Sequence, residues 1–303
     1  MKQQSTKLRS VAKLADPNGF FKIVAIDHRD VYAAMFKERT GVTPDFSQLV
    51  QSKREIVNAL SEHASSFLFD PIYCLPDLVL DGSIGECGFI VSIEGNDYST
   101  KYFDENYLLK DINVQKIKEM GGSAVKLFLY YNPTLPLSES QNELISQVSQ
   151  QCMQFKIPFL LEPILYFEGS PPPLKQQVEI TKMMLDKLSQ FGIDVFKIVF
   201  PGDILKLSDK ENMDICLYVT QNLQKPWIIL SSGIDEEAFI RQLTIACKCG
   251  ASGFAIGRTL WGGCVGLSKE KGQENYKKML SFFERVSLVT NMHATDWKNK
   301  YCT

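Results

Sequence analysis

The stretch VFKIVFPGD (residues 195–203) sets a lysine inside the most apolar run of the chain. Val195, Phe196, Ile198, Val199 and Phe200 read as a buried strand, which Pro201-Gly202 ends. A run apolar on both faces is the pattern of a parallel strand covered on two sides; a half-exposed antiparallel strand would alternate. Seven further runs resemble it: KIVAID (22–27), SFLFDP (66–71), GFIVSIE (88–94), AVKLFLYY (124–131), PFLLEPILY (158–166), PWIILSSG (226–233) and GFAIGR (253–258). Amphipathic stretches between them predict helices over about 47–62, 112–120, 138–154, 174–190, 211–222, 235–248 and 271–288. In DEEAFIRQLTIACKCGA (235–251), acids fill the first turn, Phe239, Leu243 and Ala246 share a face, and Gly250 stands near the C-terminal cap. Eight strands spaced this way specify an α/β fold, a closed (β/α)8 TIM barrel forming one domain over residues 1–303. An open doubly wound sheet is the alternative, with less support because no G-x-G-x-x-G follows the first strand.

The composition excludes several classes of function. Of 303 residues, 45% are hydrophobic and 22% charged, and the net charge of -2 comes from acids and bases mixed along the chain. No basic tract offers a nucleic-acid surface. The N-terminal MKQQSTKLRS lacks the apolar core of a signal peptide, and no apolar run approaches the roughly 20 residues that span a bilayer. A cytoplasmic protein with neither nucleic acid nor membrane as partner is expected. Eight cysteines without a C-x-x-C pattern read as small buried hydrophobes of a reducing compartment. His28, His63 and His293 lie far apart and lack metal-ligand spacing, so no metal and no cofactor is expected. GSPPP (169–173) reads as a loop.

In a TIM barrel, chemistry gathers at the C-terminal ends of the strands. Those ends carry Asp27, Asp70, Glu94, Lys126, Glu162, Lys197, Ser231-Ser232-Gly233 and Gly257-Arg258. A buried ammonium is costly unless it is paired or gives up its proton. An amine attacks a carbonyl only when neutral, and a free lysine is neutral in about one part in 2,000 at pH 7. An apolar wall and a second cation nearby both raise that fraction. The strand around Lys197 supplies the wall, Lys126 supplies the cation, and Glu162, on the strand between, is placed to move protons. That set describes Schiff-base chemistry; a Lys–Glu–Lys network that merely holds the barrel together is the other reading. At the last two strands, Ser232, Gly233, Gly257 and Arg258 occupy the place where TIM barrels commonly hold a phosphate. Gly257 lets the backbone approach the anion and Arg258 grips two of its oxygens. The competing assignment is an arginine that caps the barrel mouth by a salt bridge.

VAIDHRDVYAAMF (24–36), GGSAVKLFLYY (121–131), LLEPILY (160–166), DVFKIVFP (194–201), PWIILSSGIDEEAF (226–239) and GASGFAIGRTLWG (250–262) follow one another in a familiar order. From about residue 20 to 265 the chain resembles the class I tagatose-1,6-bisphosphate aldolases and sulfofructosephosphate aldolases. The resemblance implies that Lys197 is the Schiff-base nucleophile, that Glu162 is the proton shuttle with Lys126 beside it, and that Asp27 and Arg29 face the substrate. His28 stands where the family usually has glutamine, which bears on recognition near the substrate hydroxyls or distal anion. The loop FPGDILKLSD (200–209) is shorter than is usual there. LSSGIDE and GASGF lean toward the sulfofructosephosphate branch, and LFLYYNP toward the tagatose branch. The activity implied is a cofactor-free lyase that cleaves a ketose 1-phosphate with a second anionic group at C6, giving dihydroxyacetone phosphate and a three-carbon aldehyde. The expected partners are that phosphorylated sugar and, in a homo-oligomer, other copies of the chain. A non-catalytic barrel that senses sugar phosphates through a protein partner is the rival; it would keep the Gly-Arg site without needing both lysines and Glu162.

Overall fold

The computed structural model describes residues 7–95, 106–131, 139–165 and 172–301. Within them, eight parallel strands close into a barrel in chain order: β1 (Phe21–Ile26), β2 (Ser66–Phe69), β3 (Gly88–Ser92), β4 (Ala124–Tyr131), β5 (Phe159–Leu165), β6 (Val195–Val199), β7 (Trp227–Leu230) and β8 (Gly253–Ile256). Pairing of β8 with β1 completes the ring, with Phe21 opposite Gly253 and Val24 opposite Ile256, so the sheet is closed. Each strand corresponds to one of the eight apolar runs. Several runs extend past their strand, which leaves Asp27, Asp70, Glu94, the 231–233 segment and Gly257 in the loops at the C-terminal mouth, with Arg258 opening the short helix Arg258–Trp261.

Helices Phe46–Leu60, Val114–Glu119, Glu139–Gln154, Leu174–Leu188, Asp209–Asn222, Glu236–Lys248 and Gln273–His293 occupy the seven stretches expected to be helical. Side-chain caps set several of their starts: Asp45 with Gln48, and Ser208 with Glu211, form reciprocal capping boxes. Helix Asp30–Thr40 was not anticipated, because it buries only Tyr32 and Phe36, too narrow a stripe for periodicity to register. Between β2 and β3 the barrel helix is reduced to the single turn Asp77–Leu80. The last helix continues to His293, five residues beyond the expected end. Residues 169–171 of the GSPPP loop, Asn132-Pro133 of LFLYYNP and Tyr166 lie outside the described residues.

Alternation along the strands divides the core in two. Val125, Leu127 and Leu129 of β4 and Phe196 and Ile198 of β6 face the helices. The opposite parity fills the barrel interior with Ile23, Leu68, Ile90, Leu160, Val195 and Ile228. Val11, Leu14 and Trp297, from the two ends of the described chain, pack on that interior layer. Lys126, Glu162 and Lys197 share the parity of Ala124, Leu160 and Val195, so each points into the barrel one layer above the apolar floor. Among the described residues, no helix is long and apolar enough to cross a membrane.

Candidate active site

Glu162 is the hub of the barrel mouth. Its Oε2 accepts from Lys197 Nζ at 2.8 Å and lies 3.0 Å from Lys126 Nζ. Lys126 has no exposed surface, and two more carboxylates face its ammonium: Asp27 Oδ2 at 2.9 Å and Glu94 Oε1 at 2.6 Å. The Phe128 ring, inward-facing two residues on, has its centroid 4.9 Å from the same nitrogen. Phe128 N donates to Glu94 Oε2 at 3.3 Å, which ties the end of β3 to β4. Ionised groups at this depth are tolerated because each has an opposite partner in hydrogen-bond contact.

The carboxylates do not share one acidity. Burial opposes ionisation of Asp27, but Lys126 and Lys197 outweigh it and hold its pKa far below the ordinary range. Burial likewise opposes ionisation of Glu162, and the same two lysines hold its pKa down. At Glu94 burial wins over Lys126, and the pKa rises. The hub carboxylate is therefore held ionised, while Glu94 is the member most ready to carry a proton. His28 sits 3.6 Å from Asp27, Nδ1 to Oδ1, with its ring edge-on to Trp261. Burial pushes its pKa down to about 3; Asp27 pulls it upward, and Arg258 and Lys197 push it further down. The imidazole is neutral at physiological pH.

A cavity opens above this cluster. Lys197, Glu162, Tyr130 and Ile164 line one side; Ser231, Ser232, Gly233, Gly257, Arg258 and His28 line the other. The predicted nucleophile and the predicted anion cradle thus face a common space. Lys126, Asp27 and Arg29 do not border it. Lys126 pairs with both Asp27 and Glu162, and the Arg29 guanidinium donates to the Gly95 carbonyl at 3.0 Å. In the cradle, Ser232 and Gly233 both adopt positive φ, 50° and 77°, in a turn closed by Ile234 N donating to Ser231 O. A side chain on Gly233 would meet the Arg258 guanidinium at 3.5 Å, so the arginine packs across the turn. Arg258 lines the cavity beside this turn. Thr259 Oγ1 donates to Ile234 O and Trp261 Nε1 to Ala25 O, each at 2.8 Å, which joins the β8 loop to β7 and β1. Gly257 has a second reason to lack a side chain: a Cβ there would lie 3.0 Å from His28 Cε1 and 3.1 Å from Ala25 O. The following helix, Glu236–Lys248, has its first turn capped by its own Asp235, so the cradle is built from the turn and the arginine.

Asp70 belongs elsewhere. It pairs with Lys53 and accepts from Ile72 N and Tyr73 N, outside the two-lysine cluster. Sequence reasoning missed Lys53 and Tyr130. Lys53 falls on the apolar stripe of its helix with Leu49, Val50, Ile56, Val57 and Leu60, a position where lysine is anomalous. Tyr130 has the inward parity of Lys126, four residues on, within a run whose aromatics looked uniformly apolar. Among the described residues no group of His, Cys, Asp and Glu is arranged to hold a metal ion.

Fold and site together define a (β/α)8-barrel enzyme with its charged groups at the C-terminal mouth. The chain belongs to the DeoC/LacD family of aldolases, whose family model matches residues 21–263; the protein is an aldolase, a lyase. It is 27% identical over 330 residues to a tagatose 1,6-diphosphate aldolase of Staphylococcus epidermidis (strain ATCC 35984), an alignment covering 99% of this chain and 100% of that protein. A tagatose 1,6-diphosphate aldolase of Staphylococcus aureus (strain bovine RF122) is 26% identical, with the same coverage. Among solved structures, an archaeal fructose 1,6-bisphosphate aldolase superposes with a TM-score of 0.63 at 17% identity, over 92% of this chain and 98% of that one. The Plasmodium falciparum fructose-bisphosphate aldolase superposes with a TM-score of 0.73 at 14% identity, over 97% and 96%. These superpositions establish the shared barrel. Membership in an aldolase family favours the enzyme over a barrel that only senses sugar phosphates.

Proposed function

We propose that the protein is a class I aldolase that cleaves tagatose 1,6-bisphosphate through a Schiff base on Lys197. The observation that carries this reading is the single oxygen, Glu162 Oε2, in contact with both Lys197 and Lys126 at the floor of the cavity. The proton that Lys197 must lose before attack has an acceptor 2.8 Å away. The neutral amine adds to the C2 carbonyl, and the carbinolamine loses water as Glu162 returns a proton to its hydroxyl. The resulting iminium draws the C3–C4 electron pair as that bond breaks, while Glu162 takes the C4 hydroxyl proton and the three-carbon aldehyde leaves. Protonation of the enamine at C3 and hydrolysis of the imine then release dihydroxyacetone phosphate and restore Lys197.

Lys126 keeps Glu162 ionised between proton transfers and fixes its direction. Asp27 and Glu94 hold Lys126 in turn. Arg258, with Ser232, Gly233 and Gly257, receives the C1 phosphate as a charge-assisted fork, and neutral His28 borders the same space as a hydrogen-bonding group. The names of the curated relatives support a C6 phosphate, and a C6 sulfonate is the variant substrate to be compared. The seven described cysteines are all free thiols, which suits a reducing, cytoplasmic setting. A product assay tests the substrate: dihydroxyacetone phosphate should form fastest from tagatose 1,6-bisphosphate, compared with fructose 1,6-bisphosphate and sulfofructose 1-phosphate. Faster turnover of the sulfonate would reassign the distal group, and no product from any of the three would remove the proposal.

A further inference from the structure

Lys53 lies in helix Phe46–Leu60, outside the barrel wall, and is completely buried. Its ammonium donates to the carbonyls of Ile26 at 2.9 Å and His28 at 2.8 Å, and to Asp70 Oδ2. An ammonium has three protons, and here each has one partner. The Tyr32 and Tyr73 rings, centred 5.1 and 5.5 Å from Nζ, enclose it. The two carbonyls flank Asp27, whose side chain grips Lys126, and belong to the segment that carries His28 into the cavity. The neighbouring carbonyl, Ala25 O, is held from the β8 side by Trp261. A charged amine spent on two carbonyls of one loop is an expensive way to stabilise a barrel, because an apolar side chain would pack that helix face without desolvating a charge.

We propose that Lys53 is a positioning residue of the aldolase site: by clamping the carbonyls on either side of Asp27 it fixes the Asp27–Lys126–Glu162 chain and the placement of His28. The inference rests on the reading of Lys197 and Glu162 as the imine-forming pair. Asp70 supplies the counter-charge and holds the β2 loop, but touches neither carbonyl of the 26–28 segment.

The two roles separate by mutation of the full chain. Asp70→Asn removes the carboxylate and leaves both carbonyl contacts; the variant should lose thermal stability yet keep the wild-type pH profile of kcat. Lys53→Met combined with Asp70→Asn removes the clamp without stranding a buried carboxylate. Per folded molecule, that double variant should lose at least tenfold in kcat/KM for tagatose 1,6-bisphosphate and show a displaced pH profile. A folded double variant with wild-type kcat, KM and profile would overturn the proposal. If that double variant does not fold, Lys53→Gln combined with Asp70→Asn, which removes the ammonium but keeps a polar side chain, decides: a displaced profile beside an unchanged Asp70→Asn profile supports the clamp, and a wild-type profile overturns it. Loss of folding in both double variants assigns the pair to stability and also overturns it. Borohydride trapping of dihydroxyacetone phosphate on wild-type Lys197 is run alongside. Without label there, the imine reading fails; with label and an unaffected double variant, only the role of Lys53 fails.

Discussion

Lys126 has no exposed surface, and its ammonium faces Asp27, Glu94 and Glu162 within 3.0 Å. Replacing it by methionine strands three carboxylates around one remaining cation, Lys197. Breaking a buried pair typically costs about 3–5 kcal/mol of stability, so the melting temperature should fall. The activity has a more specific signature. Without Lys126 the pull that holds the Glu162 pKa down is weakened, so the cluster holds an extra proton and Glu162 is a poorer acceptor at neutral pH. Lys126→Met should therefore be impaired more at pH 7 than at pH 9, by up to about tenfold for each pKa unit of displacement. Equal impairment at both values would assign Lys126 to geometry alone, and full activity at both would make it structural. Arg258 poses a simpler test. Removing one partner of a charge-assisted contact costs about 2–4 kcal/mol, so Arg258→Ala should raise KM strongly while changing kcat much less. Unchanged affinity for dihydroxyacetone phosphate would place the phosphate elsewhere.

At the scale of elements, the cradle depends on how closely the β8 loop approaches β1. A methyl group at Gly257 would press on His28 and on the Ala25 carbonyl, and a backbone atom cannot swing aside as a side chain can. Gly257→Ala should weaken binding of dihydroxyacetone phosphate about tenfold and leave imine formation at saturating ligand nearly intact; wild-type affinity would show that the loop has slack. The strands were legible because burial on both faces makes them continuous apolar runs, and the charges at their ends were legible as exceptions to that rule. VFKIVFP is the clearest case, since the lysine that breaks its pattern lies at the cavity. Helix Asp30–Thr40 was not legible, because its two-residue buried stripe resembles a solvated segment. Asp70 and Glu94 looked alike in sequence, both single acids at strand ends. Only the positions of Lys53 and Lys126, each remote in sequence from its carboxylate, separate a loop anchor from a site residue. Lys53 itself required the reverse inference, from an anomalous lysine on a buried helix face to a partner that local pattern cannot identify.

Across the whole molecule, the mouth ties stability to pH. His28 is neutral when folded, with a pKa of about 3 against 6.5 when unfolded, so below pH 6.5 the unfolded chain binds the extra proton. Its contribution is fully present above 6.5 and is lost as pH falls toward 3, at up to about 1.4 kcal/mol per pH unit. Asp27 and Glu162, with lowered pKa values, lose theirs only below the ordinary carboxylate range; Glu94, with a raised one, runs the opposite way. Between pH 6.5 and 5 the difference between wild type and His28→Gln therefore isolates the histidine. Denaturant titrations should show the wild type losing stability faster than the variant over that interval, and parallel curves would mean that folded His28 accepts the proton.

Every role assigned to the barrel mouth depends on Lys197 attacking a carbonyl. The direct measurement is borohydride reduction of the enzyme with dihydroxyacetone phosphate, followed by mass spectrometry of its peptides. The account predicts the mass of the reduced ligand on the peptide containing Lys197, absent from Lys197→Met. Label on Lys126, or no covalent adduct while the enzyme still cleaves its substrate, would contradict it.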